Sequence, residues 1–262
     1  VTLLPSNTYY PIKLKDYISH FSYYEVNQDT HESTFMLPLG TVQIIFQTKG
    51  STFHNTSFTV DWETRPEVFI GGPYEAGYQM KFSGTTGIFC LIFKVGKSRH
   101  FMSFGTDHLT NQLVHPEELW GQEGKELIEK IFASNGNLER IHILEEFLLS
   151  RLKPLDRTPM EQVIAILYSN KGITSINKLR SISGFSKTHF RRKFKEDIGL
   201  NPKQLRKIVR INAAVNCYLK NPKLNFTELA YHFDFFDQSH FIKEFKSVTG
   251  QAPRDLLPSS RV

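Results

Sequence analysis

The sequence SINKLRSISGFSKTHFRRKFKEDIGLNP, Ser175 to Pro202, returns in altered form as NFTELAYHFDFFDQSHFIKEFKSVTGQAP, Asn225 to Pro253. A shift of 51 superimposes His189 on His240, Phe190 on Phe241, Phe194 on Phe245, Lys195 on Lys246, Gly199 on Gly250 and Pro202 on Pro253, with Arg192 and Lys243 matching in charge. Ahead of the turn the shift is 50, placing Leu179 over Leu229 and Phe185 over Phe235. One unit therefore occurs twice, and the second copy carries one extra residue at its turn. Two copies make a pair rather than a solenoid.

Each copy reads as helix, tight turn, helix. In the second, Asn225 is placed to cap a helix and Glu228 to complete a capping box; Asp237 caps the helix that follows. In the first, Ser186 is the corresponding cap. Phe190 and Phe194, and likewise Phe241 and Phe245, lie one helical turn apart on a face that turns inward. The remaining positions are polar and basic. This is the plan of a helix-turn-helix, predicted over 175–197 and 225–248.

These residues resemble the AraC/XylS family of bacterial transcription regulators: GFSKTHFRRKFKEDIGLNP and DQSHFIKEFKSVTGQAP are similar to that family's double motif. The resemblance covers about the last hundred residues. It implies two helix-turn-helix units joined by one long helix, entering neighbouring major grooves of double-stranded DNA. The candidate DNA-binding residues are Lys187, Thr188, His189, Arg191, Arg192 and Lys195 on the first reading helix. On the second they are Gln238, Ser239, His240, Lys243 and Lys246. Alignment to the family motif puts Thr188, Arg191 and Arg192 at base-contacting positions. Arginine suits guanine through two hydrogen bonds, and Gln238 suits adenine. The family's glycine in the second turn is replaced here by Asp234, whereas the first keeps Gly184. A left-handed backbone is expected at Asp234.

Charge supports a polyanion-binding second half. Residues 158–262 hold 18 lysines and arginines against 8 aspartates and glutamates, a balance of +10; residues 1–157 hold 14 against 18, or −4. Between the repeats, Asn201-Pro202 opens a helix running to Lys220, about 28 Å at 1.5 Å per residue. Successive major-groove half-sites recur at about 34–36 Å. Leu205, Ile208, Val209, Ala213 and Tyr218 are its inward candidates. Lys203, Arg206, Lys207 and Arg210 line the other side, available to phosphates. Upstream, Thr158-Pro159-Met160-Glu161 reads as a capping box opening a bracing helix with Met160, Val163, Ile164 and Leu167 inward.

The fold class expected is α+β: a β-rich sandwich or barrel domain with trailing helices over 1–153, a linker at 154–157, and an all-α domain over 158–262. Strands are predicted at Thr41–Thr48, Phe53–Val60, Val68–Ile70, Gly77–Ser83 and Gly87–Val95, with Gly84-Thr85-Thr86-Gly87 as a turn. Helical signals cover 97–104, 121–133 and 138–152. The last carries Leu138, Ile141, Leu144, Leu148 and Leu152 at helical spacing. That stripe packs against its own sheet or forms a homodimer contact. FMLPLGTVQIIFQ and VFIGGPYEAGYQMKFSG also resemble the amino-terminal domain of a subset of AraC-type regulators, which implies an effector-binding or dimerising role.

Catalysis and metal binding find no motif. His20, His31, His54, His100, His108 and His115 are scattered, Cys90 and Cys217 stand alone, and no phosphate loop or nucleophile motif occurs. No catalytic residue, metal or cofactor is expected. Trp62, Tyr74, Tyr78 and Trp120 read as core rather than pocket. With no disulfide framework, no apolar run long enough to span a bilayer and no leader pattern at the start of the sequence, a cytoplasmic, nucleoid-associated regulator is expected. RNA polymerase and a small-molecule effector are the expected partners. A constitutive regulator with a purely dimerising first half is the alternative. A DNA-modifying or repair enzyme using the same DNA module is a third reading.

Overall fold

The computed structural model describes residues 5–27, 33–56, 61–153 and 158–257. The expected linker at 154–157, His31 and the end of the strand predicted to Val60 lie outside them.

Among the described residues the first half has eight strands: β1 (Asn7–Tyr9), β2 (Ile18–Asn27), β3 (Thr34–Met36), β4 (Gln43–Asn55), β5 (Glu63–Thr64), β6 (Val68–Gly71), β7 (Tyr78–Phe93) and β8 (Leu113–Val114). All pairings are antiparallel in one sheet ordered β1-β2-β7-β4-β6-β8, with β3 on β7 and β5 on β4. The expected turn at Gly84–Gly87 does not break the chain. β7 continues through it as a 16-residue strand, and β4 runs beside it for 13. Their register slips between Gln47 and Lys49 and again between Lys49 and Ser51. Such bulges bend a strand without ending it. The start of β7 pairs with β3 while its end pairs with β2, so one sheet curls over a core where several short strands were expected. Strand β2 is not among the strands expected, although Asp16 and Asn27 bound it.

Helices α1 (Pro116–Trp120), α2 (Gln122–Ala133) and α3 (Asn137–Arg151) close one side of this sheet. Leu127, Ile131, Leu144 and Leu148 are buried in a single cluster with Phe21, Phe46 and Phe89 of the strands. Ile141 and Leu152 pack against that cluster, so the stripe of α3 faces its own domain. Leu138 departs from the pattern and is exposed. Residues 98–101, within the helix predicted at 97–104, form only a short 3₁₀ turn.

The second half contains α4 (Pro159–Ser169), α5 (Ile176–Ser183), α6 (Lys187–Ile198), α7 (Pro202–Lys220), α8 (Phe226–His232), α9 (Gln238–Thr249) and α10 (Pro253–Leu256). The 19-residue α7 is the axis of its core. Leu205, Ile208, Val209, Ile211, Ala214, Val215 and Tyr218 are buried among Phe190, Phe194, Phe241 and Phe245 of both repeats. At its start Asn201 and Gln204 form a complete capping box. The box expected at Thr158 does not form, since the Thr158 side chain makes no cap bond and Glu161 instead meets Lys97 at 2.6 Å.

The two halves are packed together. Phe35 of β3 belongs to the helical core, with Leu37 and Val95 against it. At Gly40 (φ +68°) a Cβ would stand 2.6 Å from the Leu205 side chain, so the sheet approaches α7 as closely as backbone allows. No helix among the described residues is long and apolar enough to cross a membrane.

Candidate nucleic-acid interface and effector cavity

In the first repeat, Ser175 and Ser186 accept hydrogen bonds from the amides of Lys178 and His189, capping α5 and α6. Gly184 turns the chain between them in the left-handed region. Phe190 and Phe194 are buried, which leaves Lys187, Thr188, His189, Arg191, Arg192 and Lys195 exposed along α6. Arg192 reaches Glu196 at 3.4 Å and His189 at 3.5 Å. Among the described residues Lys187, Arg191 and Lys195 have no ion-pair partner, so they are the less encumbered cations of this face.

The second repeat follows the same plan. Asn225 and Glu228 complete the capping box, and Asp237 accepts from the His240 amide at 2.7 Å. Asp234 has φ +58°, the left-handed turn expected. Ser239, Lys243 and Lys246 are exposed, whereas Gln238 and His240 are half-buried. Gln238 accepts from the Thr227 hydroxyl. The repeat extends to ring packing: His189 stands edge-on to Phe185 and His240 edge-on to Phe235, with centroids 4.4 and 5.6 Å apart. His240 also accepts from the Phe236 amide and approaches Glu244 at 3.4 Å. Both histidines thus brace their own unit.

The added residue of the second turn is Phe236. It is 86% exposed, between buried Phe235 and the cap of α9. Exposure of so large a ring at the start of a reading helix is invisible in sequence, where Phe233 to Phe236 reads as one apolar break.

One residue leaves the expected interface. Arg210 is 2% exposed rather than on the outer face of α7. Its Nη2 lies 2.7 Å from Glu244, its Nη1 donates to the Asp234 carbonyl at 3.3 Å, and its guanidinium lies 3.7 Å from the centroid of Phe235. Burial opposes ionisation of Glu244, but the hydrogen bond and charge of Arg210, with His240 and Lys207 adding, hold its carboxyl below the usual value. Arg206 is likewise engaged, donating to the carbonyls of Thr174 and Ile173.

The carboxy end of α6 is gripped by the sheet half. Buried Asp197 pairs with Arg99 at 2.5 Å and Lys193 at 2.8 Å. Thr106 donates to the Asp197 carbonyl and Thr110 to the Gly199 carbonyl. The second unit receives from the sheet half a bond from the Gly77 amide to the Val248 carbonyl, at 2.8 Å.

Two cavities adjoin these contacts. A cleft of about 480 Å³ runs between the halves; among its charged groups Lys97 pairs with Glu161 and Arg99 with Asp197, and Lys94 also lines it. A second cavity of about 380 Å³ lies within the sheet, walled by Tyr24, Tyr74, Tyr78, Met80, Ile88 and Arg65, and reaches Asn212 and Asn216 of α7. Tyr74 and Tyr78 therefore line a cavity instead of serving only as core. Trp120 packs against the core, and Trp62 lies under Lys81. Cys90 also borders this cavity, but burial pushes its thiol up to about 12, so it is no nucleophile at neutral pH. No group of three or more metal-ligating side chains occurs among the described residues.

Two helix-turn-helix units sharing one long helix, carried behind an antiparallel β domain, define a DNA-binding transcription regulator. Residues 181–258 match a helix-turn-helix domain family. Residues 8–115 match a domain family of unknown function. No curated protein sequence matches the chain. Among solved structures, ToxT from Vibrio cholerae aligns at 13% identity over 90% of this chain and 96% of its own, with a TM-score of 0.49. An unsaturated fatty acid-bound ToxT aligns at 13% over 98% of both chains, with a TM-score of 0.45. The AraC-like transcriptional activator CuxR aligns at 15% over 76% of this chain and 74% of its own, with a TM-score of 0.27.

Proposed function

We propose that this chain is a sequence-specific activator of transcription whose β half senses a small molecule and whose two reading helices grip adjacent major grooves. The observation that carries the reading is the pair of capped, exposed basic helices, α6 and α9, fixed on one 19-residue helix. A rigid spacer lowers the entropic cost of docking the second unit once the first is bound. Lys187, Thr188, Arg191, Arg192 and Lys195 supply the stronger contact and Gln238, Ser239, Lys243 and Lys246 the weaker. RNA polymerase is the partner proposed for activation.

The cavity in the sheet favours a sensing role over the alternative, a constitutive regulator whose first half only dimerises. The apolar stripe of α3, the surface offered as the alternative homodimer contact, packs into its own core. Genome-wide footprinting with the purified full chain tests the reading. Discrete sites containing two half-sites one helical turn apart are the expected result. Uniform, salt-sensitive coverage without preferred sites would refute it.

A further inference from the structure

The cavity within the sheet contains a charge that has no ion-pair partner among the described residues. Arg65 is 5% exposed, and its Nε and Nη2 are buried without a hydrogen-bond partner. Its guanidinium is held by ring contacts, 4.4 Å from the centroid of Tyr78 and 5.1 Å from that of Phe69. A guanidinium removed from water is strongly disfavoured unless paired, and it cannot escape by losing its proton. A position that keeps it there is explained by an anion that completes it.

The rest of the lining defines that anion. No aspartate, glutamate or lysine borders the cavity, so Arg65 is its one permanent charge. Burial holds His20 toward the neutral form, and pushes the Tyr24 phenol up to about 12 and the Cys90 thiol likewise. A single positive charge balances a monoanion; a phosphate dianion would lack a second cation. The planar fork of arginine matches the two oxygens of a carboxylate. A volume of about 380 Å³ holds on the order of a dozen water-sized groups, enough for a compact organic body beside Met80 and Ile88.

The far wall is the helix that carries both reading units. Asn212 of α7 donates to the Pro38 carbonyl at 2.8 Å, while its own Oδ1 is buried without a partner. Two orphaned polar groups, one from each half of the molecule, thus line one cavity.

We propose that this cavity binds a compact monocarboxylate, its carboxylate on Arg65 and its apolar body along the aromatic wall, and that α7 senses occupancy through Asn212. This rests on the regulator reading and names its effector class.

The test uses the full chain and a panel of matched pairs, benzoate, 4-phenylbutyrate, cinnamate and octanoate, each against its primary amide. Thermal unfolding and gel shift are read on the same samples. At least one acid is expected to raise Tm in a concentration-dependent way, while its amide binds about tenfold or more weakly. Arg65→Met should abolish that difference, and ligand-free Arg65→Met should melt no lower than the parent, because it removes a buried charge without an ion pair and keeps an apolar side chain against the Tyr78 and Phe69 rings. Asn212→Leu should retain acid binding but lose the acid's effect on the gel shift. Equal binding of acids and amides, no Tm change with any acid, or a Tm drop of several degrees in ligand-free Arg65→Met would each overturn the proposal. Those outcomes leave DNA binding by the untreated chain as it was. Absence of DNA binding in every sample would instead refute the regulator reading.

Discussion

In the first helix-turn-helix unit the acid held by the fold is buried Asp197, met by Arg99 from the sheet half and by Lys193 of its own helix; in the second it is half-buried Glu244, met by Arg210 from α7. The repeat does not conserve this chemistry, since Lys193 occupies the position equivalent to Glu244 with the opposite charge. The first unit is therefore fastened to the sheet half, and the second chiefly to the axis between the units. A change in the sheet half has its most direct route to DNA through α6, the more basic reading helix. The second unit follows through α7.

The largest expected effect tests the second fastening. Arg210→Ala leaves Glu244 half-enclosed without its main partner and should cost about 3–5 kcal/mol in denaturant unfolding. Replacing both residues by methionine should restore much of the loss. If the single variant is neutral, the pair is not what seats α9. The same pair has an acid signature. The folded carboxyl of Glu244 sits below its ordinary value of 4.5, so its contribution is present above that value and is lost as pH falls through the lowered one. Glu244→Gln should remove that component of the acid transition, as read by unfolding at a series of pH values.

On DNA, Arg191→Ala should cost about 1–3 kcal/mol and relax one base position, since Arg191 has no competing acid among the described residues. Arg192 is shared with Glu196, and Arg192→Ala should cost less. Competition binding against single-base site variants distinguishes them. Uniform weakening across all variants would assign the side chain to phosphate.

Fastening of the first unit is expected to be softer. Arg99→Ala still leaves Asp197 with Lys193, so the stability cost should be about 1.5 kcal/mol. Hydrogen exchange should rise at α6 more than at α9. Equal increases in both helices would erase the contrast between the units.

Smallest is Asp234→Gly, which relieves a left-handed residue at the second turn and should hold or raise stability by a few tenths of a kcal/mol. A clear fall in Tm would show that the Asp234 side chain, and not only its backbone, supports the turn.

The repeats were legible because their signals are local. Caps at Ser186, Asn225 and Asp237 lie within three residues of the amides they serve, and Phe190/Phe194 and Phe241/Phe245 declare the buried face by spacing alone. Arg210 misled for the opposite reason. Periodicity placed it on the outer face of α7, but its partner Glu244 is 34 residues away. The sheet was harder still. Gly84 and Gly87 carry turn signals, and pairing with β2 at Thr85–Gly87, with β4 paired on either side, carries β7 through them.

Sequence alone determined that this chain has two copies of a DNA-reading unit on a common helix, because helix starts, turns and apolar faces are set by neighbours three or four residues apart. Tertiary structure decided which charges are available and which are consumed. Arg65 stands in DWETRPEVF with nothing to mark it. It becomes a candidate anion site only when β3, β4, β7 and α7 close around it and leave its guanidinium unanswered. The reason is physical: desolvation depends on everything that surrounds a group, and residues distant in sequence supply most of those surroundings.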